Sequence, residues 1–90
     1  MLNHRWEGIL SDIRSRREAI GLSQHQAAKY IGCMRQSSWL RIEQGNPLSV
    51  VYPDILDRLY AAEMVYNGCH DEIYTSALHT ELIKILQRAT

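Results

Sequence analysis

Arg35, Gln36, Ser37, Leu40 and Arg41 stand close together in the sequence and carry side chains suited to reading a nucleic-acid duplex. A guanidinium can grip guanine O6 and N7 together, and a glutamine amide can pair with adenine N6 and N7. Leu40, one turn further on, can touch a thymine methyl. Arg41 can read a base or hold a phosphate. The same run could also be an ordinary solvated helix start, so its meaning depends on the elements around it. Upstream, Ser23 and Gln24 open a helix whose free backbone N–H groups can hold a phosphate. Ser23 is first of all a cap. His25 falls on the outer face of that helix and can approach the same backbone, while Lys29 and Asn46 either touch phosphate or stay in solvent. Arg14 and Arg16 reach phosphate only if the first helix lies near the duplex.

Other chemistries find little support. Cys33 and Cys69 are too few for a disulfide framework or a zinc cage, and they read as two reduced, semi-buried thiols. Cys69-His70 resembles a fragment of a metal site but lacks further ligands at short spacing. His4, His25, His70 and His79 are scattered. No Ser/His/Asp or Cys/His arrangement assembles, no carboxylate pair marks a cleft, and no glycine-rich phosphate loop occurs. We therefore expect no enzyme activity, no metal and no cofactor. Trp6 and Trp39 could stack on bases, but their helical spacing assigns them to the core. Tyr30 and Tyr52 fit either role.

The elements that must position these residues are helical. Ninety residues allow one domain, and 46% apolar residues suffice for one core. Trp6, Ile9, Leu10, Ile13 and Arg17 follow one helix face, which ends near Ile20-Gly21. Ser23 with Gln26 forms a capping box, so a second helix begins at Gln24, buries Ala27, Ala28 and Ile31, and ends at Gly32. Cys33 to Ser37 forms a turn into a third helix, with Ser38, Trp39, Ile42 and Glu43 inward. Gly45 stops that helix, and Asn46-Pro47 forbids its continuation. Pro53 opens a fourth helix bearing Ile55, Leu56, Leu59, Tyr60, Glu63 and Met64, closed by Asn67-Gly68. A fifth helix is expected over about 71–87, with Tyr74, Leu78, Leu82, Ile85 and Leu86 on one stripe.

The formal net charge is zero, but it is unevenly spread. Residues 1–45 hold Arg5, Arg14, Arg16, Arg17, Lys29, Arg35 and Arg41 against Glu7, Asp12, Glu18 and Glu43, a balance of +3. Residues 46–90 hold Arg58, Lys84 and Arg88 against Asp54, Asp57, Glu63, Asp71, Glu72 and Glu81, a balance of −3. A positive half can face phosphate while the negative half faces away. No run of about 18 or more apolar residues occurs, and Met1 to Arg16 lacks the apolar centre of a secretory signal, so a cytoplasmic location is expected.

Ile13-Arg14-Ser15-Arg16-Arg17-Glu18-Ala19-Ile20-Gly21-Leu22-Ser23-Gln24, followed by Ala28, Ile31-Gly32 and Arg41-Ile42-Glu43-Gln44-Gly45, resembles the phage-repressor-type (lambda-repressor-like, Cro-like) helix-turn-helix family over roughly residues 9–66. Between Gly32 and Arg41 the chain is one residue longer than the usual family spacing, so the turn or the start of the recognition helix must be altered. Ser38-Trp39 and Tyr52-Pro53-Asp54 are more similar to the anti-CRISPR-associated (Aca) repressors and their YdiL-like relatives. The resemblance implies an all-α, compact five-helix domain and a buried Arg17–Glu43 ion pair. It also implies phosphate binding at Gln24 and transcriptional repression, with autoregulation of a phage or mobile-element operon.

Such a domain reads few base pairs alone. A homodimer on an inverted repeat would place two recognition helices about 34 Å apart, in successive major grooves. Residues 1–68 would form the helix-turn-helix core, and 69–90 the dimerisation helix of the same domain, with Tyr74, Leu78, Leu82 and Ile85 shared between copies. The alternative is an antitoxin whose fourth or fifth helix binds a toxin protein while the same motif binds its promoter. A third reading is a protein-interaction module without DNA binding.

Overall fold

The computed structural model describes residues 13–44 and 53–88. Every regular element among them is a helix. We label these α1 (13–19), α2 (Gln24–Ala27, running on into a π-helical stretch Ala28–Gly32), α3 (Gln36–Glu43), α4 (Pro53–Tyr66), α5 (Glu72–Thr75) and α6 (Thr80–Arg88). The readings of His4, Trp6, Ile9, Leu10, Gly45, Asn46, Pro47 and Tyr52 lie outside the described residues.

Glycine sets two of the helix ends. After α1, Gly21 takes φ +75°, Gly21 N–H donates to Glu18 O (3.0 Å) and Leu22 N–H to Arg17 O (3.3 Å). After α4, Gly68 takes φ +93°, with Gly68 N–H on Val65 O (3.0 Å) and Cys69 N–H on Met64 O (2.9 Å). Both are Schellman closures, in which a left-handed residue turns the chain so that the last carbonyls find donors. The first closure also drives Leu22 into the core, where it is 3% exposed. The start of α2 is the capping box expected from sequence. Gln26 N–H donates to Ser23 Oγ (3.1 Å), and Ser23 N–H to Gln26 Oε1 (3.0 Å).

The end of α2 is less ordinary. Its last turn widens to π geometry, and the left-handed residue that terminates it is Cys33 (φ 51°), not Gly32. Cys33 and Met34 N–H both donate to Ala28 O, the latter at 3.0 Å. Gly32 is needed for space: a Cβ there would stand 3.0 Å from Met34 Cε and Cγ and from Trp39 Cε3. Cys33 is exposed, so the expectation of two semi-buried thiols holds only for Cys69. The left-handed turn points the Cys33 side chain outward.

One apolar cluster joins all the elements except α5, whose Tyr74 only packs against it. It runs from Ile13 through Ile31, Trp39 and Ile42 to Leu59, Leu82 and Leu86. On α4 the inner face is Ile55, Leu59, Ala61, Ala62 and Val65, whereas Tyr60 is 51% exposed. The small Ala61 and Ala62 let neighbouring helices approach closely.

A continuous helix over 71–87 does not form. The backbone tightens after α5, with Ala77 N–H on Tyr74 O and Leu78 N–H on Thr75 O, both at 3.2 Å. Thr75 and Ser76 hydroxyls reach back to the carbonyls of Asp71 and Ile73, competing with the helix ladder. His79 then restarts the chain as α6: its carbonyl accepts from Ile83 N–H (3.1 Å) and its Nδ1 from Glu81 N–H (3.2 Å). The break turns Leu78, Leu82 and Leu86 onto the chain's own core, at 8%, 0% and 0% exposure. Leu78 and Leu82 therefore present nothing to a second copy. Tyr74 and Ile85 are half-buried and pack against the same core. No helix among the described residues is long and apolar enough to cross a membrane.

Candidate nucleic-acid interface

A buried carboxylate fixes the outer face of α3. Glu43, at the end of that helix, has a side chain 2% exposed. Arg17 Nε donates to its Oε2 at 2.5 Å and Arg17 Nη2 to its Oε1 at 3.3 Å, while Arg17 Nη1 donates to Leu22 O at 2.8 Å. Trp39 Nε1 donates to Glu43 Oε2 (2.6 Å) and Gln24 Nε2 to Oε1 (3.1 Å). One carboxylate thus ties together α1, the start of α2, and α3. Burial works against its ionisation. The hydrogen bonds from Arg17, Trp39 and Gln24 and the Arg17 charge outweigh that effect and hold the carboxyl below the ordinary range. No buried polar side-chain atom among the described residues lacks a partner.

The Arg17–Glu43 pair and the buried Trp39 agree with the sequence reading. The bonds from Gln24 and Trp39 to Glu43 were not anticipated. The Gln24 bond depends on how α2 and α3 cross, which residue types alone do not encode, whereas Trp39 and Glu43 lie one turn apart on α3 itself. Gln24, a phosphate candidate from sequence, is half-buried at the start of α2. One N–H of its amide is engaged by Glu43, which ties the side chain to α3 and leaves the second N–H for another acceptor.

With α3 anchored from beneath, Arg35, Gln36, Ser37, Leu40 and Arg41 are all exposed. Arg35 is the N-cap residue, in extended conformation (φ −70°, ψ 152°), and Gln36 is the first helical residue. The turn is therefore Cys33 to Arg35, shorter at its far end than the span expected from sequence. Ser38 is half-buried and Leu40 is 37% exposed. The first-turn N–H groups of α3 have no side-chain cap. Arg35, Gln36, Ser37 and Arg41 have no hydrogen-bonded side-chain partner among the described residues.

His25 and Lys29 are exposed on α2, and Lys29 Nζ lies 5.3 Å from the Tyr30 ring centroid. Tyr30 is half-buried and packs against the His79 ring at 5.2 Å. The two α1 arginines are placed differently. Arg16 clasps Glu63 of α4 with two bonds, Nε to Oε2 at 3.0 Å and Nη2 to Oε1 at 2.5 Å. Arg14 pairs one turn along with Glu18 at 2.8 Å. Among the described residues no three His, Cys, Asp or Glu side chains gather as a metal site.

No family model matches the chain, and no curated protein or solved structure matches it either.

Proposed function

We propose that the chain is a helix-turn-helix protein that reads double-stranded DNA with α3 and represses transcription as a homodimer on an inverted repeat. One observation carries this reading: a recognition-type helix, pinned through Glu43 to α1 and α2, that turns Arg35, Gln36, Ser37, Leu40 and Arg41 outward with no partners within the described chain. A helix fixed on its inner side and unpartnered on its outer side is what insertion into a major groove requires. His25 and Lys29 flank that face as phosphate contacts, and Ser23 contributes chiefly by capping α2.

The lambda-repressor-like resemblance fits this reading. Between Gly32 and Arg41 the chain leaves the wide last turn of α2 through Cys33, which takes the left-handed place next to Gly32. The start of α3 is thereby kept within reach of α2. On this reading the protein is cytoplasmic and is not an enzyme. It regulates its own promoter on a phage or other mobile element, beside an anti-CRISPR gene if the Aca likeness holds.

Selection of bound duplexes from a random pool tests the proposal. The expected result is a two-fold symmetric consensus, with affinity falling steeply as salt rises. Arg35→Ala and Arg41→Ala should each weaken that site by about ten-fold or more while circular dichroism stays unchanged. No preference for any duplex at low ionic strength would refute the reading.

A second reading is favoured by one surface. Ile73 is 73% exposed and Tyr60 51%, and Tyr60 meets Tyr74 edge-on with centroids 5.8 Å apart. This patch on α4 and α5 could seat a toxin protein, which would make the chain an antitoxin. It is also an exposed apolar surface open to a second copy, whereas Leu78 and Leu82 are buried. A neighbouring toxin gene, together with co-purification of its product, separates the two.

A further inference from the structure

Arg58 belongs to α4 and is half-buried. Its Nε donates to the carbonyl of Ile31 at 2.5 Å, inside the π-helical turn that ends α2. Carbonyls in the last turn of a helix have no intrahelical donor and must find one elsewhere. Ile31 is fully buried, so water does not serve. The next residue, Gly32, is where α2 meets α3 closely, because a Cβ there would stand 3.0 Å from the Trp39 ring and from the Met34 side chain. Trp39 in turn bonds Glu43. A contiguous path therefore runs from Arg58 through Ile31, Gly32 and Trp39 to the helix that carries Arg35 and Arg41.

We propose that Arg58, which lies off the exposed face of α3, is the positioning residue that holds the π-turn and so fixes where α3 sits against its target. The proposal rests on the DNA-binding reading and deepens it. A π-turn is a wide, locally strained piece of helix, often found at functional sites, and one held from outside has a defined geometry. Without the clasp, α3 keeps its side chains but loses their placement. Base discrimination depends on placement to a fraction of an ångström, whereas attraction to phosphate does not.

The test compares full-length protein with Arg58→Met, Arg58→Lys and Val65→Ala, the last a buried residue on the same helix and remote in sequence from the clasp. Each is titrated against the duplex selected by the wild type and against a scrambled duplex, at one salt concentration. Arg58→Met should lower the ratio of selected to scrambled affinity about ten-fold, the equivalent of one misread base pair, with scrambled affinity unchanged. Arg58→Lys, whose ammonium can still donate to Ile31 O, should recover most of the ratio. Val65→Ala should lower the melting temperature and leave the ratio intact.

An unchanged ratio in Arg58→Met, or an equal loss in Val65→Ala, overturns the proposal. A fall in scrambled affinity would make Arg58 a direct phosphate contact and overturns it too. Should Arg58→Met fail to fold, Arg58→Leu, which also lacks a donor for Ile31 O, takes its place with the same expectation. Unfolding of both would make Arg58 a structural keystone and also reject the assignment. Failure of the wild type to prefer any duplex sinks the DNA reading itself, whereas an intact wild-type preference indifferent to Arg58 sinks only this inference.

Discussion

Removing the Glu43 carboxylate should cost more than any other single polar change in the described part of the chain. In Glu43→Ala the Arg17 guanidinium, with a side chain 9% exposed, keeps its bond to Leu22 O but loses its close, buried counter-charge, retaining only the exposed Glu18 at 3.7 Å. Trp39 Nε1 and Gln24 Nε2 lose their acceptor at the same time. Breaking a buried pair from one side costs about 3–5 kcal/mol, largely because a charge remains without compensation. At about 4–8 °C per kcal/mol for a domain of this size, melting should fall by at least about 12 °C.

Glu43→Gln should do little better, since an amide supplies one acceptor, adds donors that face donors, and leaves Arg17 only its longer pair with the exposed Glu18 at 3.7 Å. Replacing both partners, as Arg17→Met with Glu43→Leu, should recover part of the loss. Recovery stays incomplete because Leu22 O and Trp39 Nε1 remain orphaned, at about 1–3 kcal/mol each. Thermal melts followed by circular dichroism measure all four proteins. A drop below about 5 °C for Glu43→Ala, or a double variant no better than either single, would refute the reasoning.

Acid provides an independent check on the same group. The folded protein holds this carboxyl's pKa below its ordinary value of 4.5, so it binds the proton less readily than the unfolded chain does. The stabilisation is therefore complete above about pH 4.5 and is lost as pH falls through the lower folded value. Melting temperatures recorded down that range should decline in the wild type and decline less in Glu43→Ala.

Arg16→Ala, which opens the clasp on Glu63, should cost about 1 kcal/mol by chemical denaturation and leave affinity for a scrambled duplex unchanged. Gly32→Ala should destabilise by about 1–3 kcal/mol in the same assay, because Met34 can swing aside but the bonded Trp39 ring cannot. Cys33→Gly should raise the melting temperature slightly, by the equivalent of up to about 1 kcal/mol, since glycine accepts φ 51° without strain. Light scattering should find Leu82→Asp misfolded and Ile73→Asp folded but monomeric; a folded Leu82→Asp would contradict the placement of α6.

Much of this arrangement could be read from residue types. Ser23 with Gln26, Gly21 after an apolar face, Pro53 before another, and the inward spacing of Trp39, Ile42 and Glu43 are local signals, and each appears where local rules put it. What escaped reading depends on how distant pieces meet. Gln24 reads as a phosphate ligand, and nothing local says that Glu43 lies within 3.1 Å of its amide. Arg16 reads from sequence as a conditional phosphate contact because Glu63 is far away along the chain. The break between α5 and α6 was hidden for a different reason. Residues 71–87 contain neither glycine nor proline, and it is the burial of Leu78, Leu82 and Leu86, aided by Thr75 and Ser76, that bends them. The π-turn at Ala28–Gly32 carries no residue type that would mark it.

The Glu43 anchor separates the work of folding from the work of contact. Everything that keeps α3 in place lies beneath it, at Trp39, Ile42 and Glu43. The side chains on its outer side make no bonds that the described fold relies on. Substitutions at Arg35, Gln36, Ser37 or Arg41 are therefore nearly free of structural penalty. A lineage carrying this scaffold could exchange one target sequence for another in single steps, without passing through an unstable intermediate.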